Sequence, residues 1–117
     1  MNAMYLNLPI AIQRIGDAEL VDEMLVMLHQ SLPEDWQSFI DFMRQEKLIE
    51  AEKIIHQLKG TIPFFSDGTT ADLLQHMDVL LKDATNKDQI HEKFTALQSR
   101  MHGFQVELDD WFCRTHA

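Results

Sequence analysis

The residues whose types and spacing could do chemistry together are His56, Lys59 and Gly60, in the run His56-Gln57-Leu58-Lys59-Gly60. On a helix, the positions three and four residues after His56 are its side-by-side neighbours. With His56 set at zero and about 100° per residue, Leu58 falls near 200°, Ile55 near 260°, Ile54 near 160°, and Phe65 near 180°. The apolar arc is therefore centred opposite His56. Glu52, Lys53, Lys59, Gly60 and Pro63 all fall within about 60° of it, and Gln57 sits at their edge. These spacings predict an imidazole aimed at solvent from a helix whose other face is buried.

Each neighbour has a use in phosphoryl chemistry. An imidazole changes charge close to neutrality, so an exposed one offers a neutral nucleophile. An ammonium one turn away can offset negative charge brought by a phosphoryl group. A glycine beside the ring leaves room for another protein's surface. In a helix interior that glycine costs roughly 1 kcal/mol relative to alanine, so it asks for a reason. From spacing alone, a surface helix that happens to carry His, Lys and Gly remains the plainer account.

The elements that would position these residues follow from helical periodicity along the chain. Leu8 to Ile15 form a short segment carrying Ile12 and Ile15 and stopping at Gly16. Asp17 is a fitting N-cap for a long helix with the stripe Val21, Leu25, Leu28, Leu32, Trp36, Phe39 and Met43. Pro33 interrupts its hydrogen bonding, and Ser31 with Glu34 matches a capping box. The stripe nonetheless keeps its phase, which predicts one bent helix. A third helix is expected from about Leu48 to Phe65, with a turn at Ser66-Asp67-Gly68. A fourth carries Leu73, Met77, Leu80 and Ala84. A turn at Thr85 to Asp88 precedes a last helix with Ile90, Phe94, Leu97, Met101, Phe104, Leu108 and Trp111, weakened modestly by Gly103. The expected fold is all-α, an up-down-up-down four-helix bundle with a short additional N-terminal helix, because short loops make neighbours antiparallel. The whole chain, 1–117, reads as one domain of that kind.

Composition narrows the function classes. Ten Lys and Arg against 19 Asp and Glu give a net charge of −9. That argues against nucleic acid, whose phosphates need clustered cations, and against anionic membrane surfaces. No run approaches the roughly 20 apolar residues of a membrane span. Met1 to Ile15 lack the basic start of a signal peptide, so a cytoplasmic location is the default expectation. The single Cys113 reads as a partly buried thiol, and the seven Met as core more than site. The other histidines, His29, His76, His91, His102 and His116, share no metal-ligand spacing, so no metal site is expected. No Gly-rich nucleotide loop is present, and no cofactor is expected.

The run His56-Gln57-Leu58-Lys59-Gly60 resembles the H-x-L-K-G signature of histidine phosphotransfer (HPt) domains, and the likeness spans about residues 8 to 112. Ala51, Ile55, Leu58, Leu73 and Met77 fall where that family places apolar residues, and the stretch from Gly16 to Met43, with its Pro33, resembles the family's preceding helix. Two positions depart from the pattern. Ser66 stands where a glycine is usual, with Gly68 two residues on, and Ile62-Pro63-Phe64 stand where smaller residues are preferred. Pro63 also removes the hydrogen bond to the Lys59 carbonyl, so the helix is expected to bend or end early.

The resemblance implies a four-helix bundle that relays phosphoryl groups in multistep two-component signalling. It implies His56 as the phosphorylated residue, Lys59 as its supporting lysine and Gly60 as the clearance position. Glu52, Lys53, Gln57, Gly60 and Pro63 would face the partner. The implied partners are response-regulator receiver domains, which supply Mg²⁺ and the acidic pocket, with a hybrid sensor kinase as a further candidate. Such a chain is a phosphocarrier, not an ATP-using kinase. The alternative is a helical interaction module that binds a receiver or sensor kinase through the same face without being phosphorylated.

Overall fold

A computed structural model describes residues 5–116. Five α-helices account for nearly all of them: α1 (Leu8–Ile15), α2 (Ala18–Arg44), α3 (Leu48–Lys59), α4 (Gly68–Asp83) and α5 (Lys87–His116), with a 3₁₀ turn at Ile62–Phe64 between α3 and α4. There is no strand among the described residues. Among the described residues no helix is long and apolar enough to cross a membrane.

Local chemistry sets most helix ends. The Asn7 side chain accepts the Ile10 N–H at the start of α1, and Gly16 closes it in a left-handed conformation, φ 84°. The Asp17 carboxylate accepts the Glu19 and Leu20 N–H groups and opens α2, as its type and place predict. α2 runs unbroken for 27 residues through Pro33. Pro33 lies on the exposed side, while Val21, Leu25, Leu28, Leu32, Trp36 and Phe39 are buried. The Ser31–Glu34 pair therefore starts no new helix.

The helices pack around one core. α2 lies against α3 and α5, α3 against α4, and α4 against α5, while α1 covers α2 and the 3₁₀ turn. The largest fully buried side chains include Phe39, Phe65, Phe104, Leu25, Leu32 and Ile55. The last helix buries the expected stripe, with Phe94 partly exposed and set edge-on against Phe39 at 5.6 Å.

Several expectations need correction. α3 does not reach Phe65. It ends at Lys59, and from Gly60 onward the N–H groups bond three residues back: Gly60 to Gln57, Thr61 to Leu58, Phe64 to Thr61 and Phe65 to Ile62. Pro63 has no N–H to give the Lys59 carbonyl, so the α-helical ladder cannot continue past it. Met77 is buried as expected, but the rest of the α4 stripe is shifted by one position. Leu74, Met77 and Leu81 are the buried apolar residues, Leu73 and Leu80 are only partly buried, and Ala84 is the exposed, left-handed cap (φ 56°). Ile12 is exposed, and Ala11 is the buried residue of α1. Gly68 is the first residue of α4 and has no positive φ, so it does not make a glycine turn in place of Ser66, which is itself buried. Cys113 is exposed, being two positions on from buried Trp111 and so on the outer face of α5. Met27 is well exposed, and Met1 and Met4 lie outside the described residues.

Gly103 has a packing reason. A Cβ there would lie 2.2 Å from the Tyr5 ring. The segment before α1 is held on α5 by two hydrogen bonds of 2.8 Å, from the Tyr5 and Leu6 N–H groups to Glu107 Oε1. Arg100 lies over the same Tyr5 ring at 5.0 Å.

Candidate functional site

His56 projects from the last turn and a half of α3, with its side chain 62% exposed. Behind it Ala51, Ile55 and Leu58 seal the helix to the core. Glu52 and Lys59, one turn to either side, flank it on the same face, and both are partly buried. Lys53 and Gln57 are exposed beside them.

Gly60 is exposed and adopts an ordinary right-handed conformation, φ −80° and ψ −12°. It caps α3 instead of lying mid-helix. A Cβ there would meet only the Gln57 and His56 carbonyl oxygens, at 3.5 and 4.0 Å, which is ordinary contact. Neither backbone conformation nor crowding demands a glycine at this position. Pro63 is different. Its placement beside His56 assumed a helix continuing to Phe65, and that helix is absent. Pro63 sits in the 3₁₀ turn, where its carbonyl accepts a hydrogen bond from Arg14 of α1.

The residue that sequence reasoning missed is Asp78 of α4. It is only 1% exposed, and its Oδ2 lies 3.8 Å from His56 Nδ1, 2.6 Å from Lys59 Nζ and 3.2 Å from Lys82 Nζ. Lys82 also approaches Glu52 Oε1 at 3.6 Å. Oδ1 of Asp78 is buried without a hydrogen-bond partner. Burial pushes the Asp78 carboxyl up, but side-chain hydrogen bonding, to Lys59 first, then Glu52 and then Lys82, outweighs burial and holds it at about 2. It is therefore a carboxylate at neutral pH. The Asp78 carboxylate in turn raises the Lys82 ammonium.

Lys59 is thus not a free cation waiting beside His56. Its ammonium is already hydrogen-bonded to Asp78, and it reaches the site as part of a four-charge cluster: Glu52 and Asp78 against Lys59 and Lys82. That cluster sums to zero around an exposed imidazole. A sequence signal for Asp78 did exist. With α4 in its true register of Leu74, Met77 and Leu81, Asp78 follows Met77 on the buried side, and a buried acid requires a cation partner. Lys82, at i+4, was the nearest candidate.

The Asp78 carboxylate faces Nδ1, which leaves Nε2 as the ring nitrogen directed outward. A distance of 3.8 Å is beyond a hydrogen bond. The arrangement is an imidazole with a buried acid behind it and ammonium groups beside it, its outward nitrogen open to solvent, a setting in which a histidine can serve as a nucleophile.

Glu52, His56 and Asp78 also place possible metal-ligand atoms within 4.8 Å of one another. Two ammonium groups already occupy the Asp78 carboxylate, and one of them bridges to Glu52, so these carboxylates are neutralised without an ion. The other histidines lie apart. His29 stacks on Phe112 at 4.0 Å and meets Asp109 at 3.0 Å, and His116 meets Asp22 at 3.0 Å; both contacts join α2 to the end of α5.

Comparison with protein-family models, with curated proteins and with solved structures finds no match to this chain.

Proposed function

We propose that this chain is a histidine phosphotransfer carrier of the HPt type, taking a phosphoryl group onto His56 from one receiver aspartate and giving it to another. On this reading α2 to α5 form an up-down-up-down four-helix bundle with α1 as the additional N-terminal helix. The observation that carries the reading is the exposed His56 on α3 backed, on the Nδ1 side, by the buried carboxylate of Asp78.

The chemistry follows from that pairing. The Nε2 lone pair attacks phosphorus in line with the acyl-phosphate bond, the N–P bond forms, and the receiver carboxylate leaves. The ring keeps its proton on Nδ1 and becomes cationic as the bond forms. A carboxylate 3.8 Å from Nδ1 stabilises that charge, as the acid of a catalytic triad stabilises its imidazolium. Lys59 and Lys82 lie where they can exchange their carboxylate partners for phosphoryl oxygens. In the return step a second receiver's carboxylate attacks phosphorus and the N–P bond breaks. Receiver and carrier together hold the reacting atoms in line, and positioning does most of the work. Glu52, Lys53, Gln57 and Gly60 form the rim a receiver would cover.

The test is to mix the chain with a phosphorylated receiver and look for acid-labile, base-stable phosphate. His56→Gln should abolish it while leaving stability within about 0.5 kcal/mol, as for most exposed positions. Phosphate on the His56→Gln variant at the wild-type rate would place the acceptor elsewhere. A complex with the receiver but no phosphate on the wild-type chain would favour the non-phosphorylated interaction module.

A further inference from the structure

At the end of the molecule where α2 meets α3 and α4 meets α5 lies a groove of about 430 Å³. Met43, Leu48, Ile90 and Phe94 form its apolar floor, and Arg44, Glu46, Lys87 and His91 ring it. It belongs to the opposite end of α3 from His56, since Leu48 opens that helix and His56 lies in its last turns.

One feature of the rim is unusual for a structural end-cap: it carries two Lys/Arg side chains against one acid, in a chain whose net charge is −9. Neither Arg44 nor Lys87 forms an ion pair among the described residues. Arg44, in the last turn of α2, suits the negative end of its helix. Lys87 is the first residue of α5, where a cation opposes the positive end of the helix dipole. Asp88 supplies the usual acid of that first turn and does not line the groove. Glu46, also on the rim, holds a left-handed backbone, φ 57°, because it ends α2: the Lys47 N–H reaches back to the Phe42 carbonyl, a common helix termination. The position of Lys87 has no such local account, and an anion held between Arg44 and Lys87 would compensate it.

We infer that this groove binds a small amphiphilic carboxylate, with its apolar body on Met43, Leu48, Ile90 and Phe94 and its anionic head between Arg44 and Lys87. The volume is that of small-ligand pockets, which run from about 300 to 1,000 Å³. A protein partner would need a far larger face, about 800 Å² on each side. The floor excludes a wholly polar anion such as phosphate as the preferred occupant. The inference does not depend on the role of His56.

The experiment is a titration of the ¹⁵N-labelled full chain with decanoate below its micelle concentration, followed by amide shifts. Decanol serves as the uncharged control, and an Arg44→Gln/Lys87→Gln double variant tests the head-group site. Both residues are exposed, so the variant should keep the wild-type melting temperature. The expected result is saturable shifts confined to 43–48 and 87–94, with affinity at least about tenfold weaker for decanol and for the double variant, the scale of one lost charged contact. Absence of saturable shifts would overturn the inference. So would equal binding of decanol and decanoate, equal binding by the double variant, or shifts centred on other exposed apolar residues such as Ile49 and Val79.

Discussion

Asp78 Oδ2 lies 3.8 Å from His56 Nδ1, and the carboxylate that makes this approach is buried while the imidazole is mostly in solvent. One side of the ring therefore has a fixed charge environment and the other is open. On the phosphotransfer reading, Asp78→Asn keeps the shape and removes the charge. Phosphoryl acceptance from a receiver should slow about tenfold, equivalent to about 1.4 kcal/mol of transition-state stabilisation. The circular dichroism spectrum should stay that of the wild type. Lys59→Ala should have a smaller effect, because Lys82 remains on the carboxylate. Unchanged acceptance in Asp78→Asn would reduce Asp78 to a structural anchor for the two lysines.

The same carboxylate gives a pH signature that does not depend on function. Its folded value of about 2 lies below the ordinary 3.8. A depressed carboxyl contributes stability that is fully present above its unfolded value and is lost as pH falls through the folded one. The window is therefore from about pH 4 down to about pH 2. The contribution at neutral pH is on the order of 2 kcal/mol. Asp67 adds in the same direction: burial raises it, but the Thr70 backbone N–H and Arg100 lower it further. Urea melts at pH 6 and pH 3 should show the stability gap between wild type and Asp78→Asn narrowing with acid. A constant gap would mean that the lysines do not hold Asp78 as described.

Much of this was legible in the sequence for identifiable reasons. Gly16 and Asp17 punctuate α1 and α2 by their own backbone and capping chemistry, and the long stripes of α2 and α5 fix their buried faces through many repeats. The exposure of His56 followed from Ile55 and Leu58 alone. The face of α4 was not legible, because the doublets Leu73-Leu74 and Leu80-Leu81 offer two apolar registers one residue apart, and packing against α3 and α5 chooses between them. Asp78 was lost with that register. In the correct register Lys82, at i+4, points to it, but its closer cation Lys59 comes from a different helix.

Gly60 separates access from backbone need. With φ −80° and only ordinary contacts for a Cβ, Gly60→Ala should stabilise the fold by up to about 1 kcal/mol, mainly by restricting the unfolded chain. Gly60→Gln should fold equally well, and on the phosphotransfer reading it should slow receiver transfer by crowding the rim beside His56. Thermal melts and transfer rates on the same two variants decide both points. Transfer at the wild-type rate in Gly60→Gln would remove Gly60 from the docking face.

Gly103 should respond with the opposite sign, although it too is a glycine on a helix. A Cβ there would stand 2.2 Å from the Tyr5 ring, so either the ring leaves or α5 shifts. Overpacking of this kind costs about 1–3 kcal/mol, which outweighs the roughly 1 kcal/mol that alanine gains over glycine in a helix. Gly103→Ala alone should therefore destabilise. In a Tyr5→Ala background the obstacle is gone, and the same substitution should become stabilising by up to about 1 kcal/mol. A double-mutant cycle read by urea denaturation measures that change of sign directly. If Gly103→Ala destabilised equally in both backgrounds, Tyr5 would not be what the glycine accommodates, and the docking of residues 5 and 6 on Glu107 would have to be held by the two backbone hydrogen bonds without help from the ring.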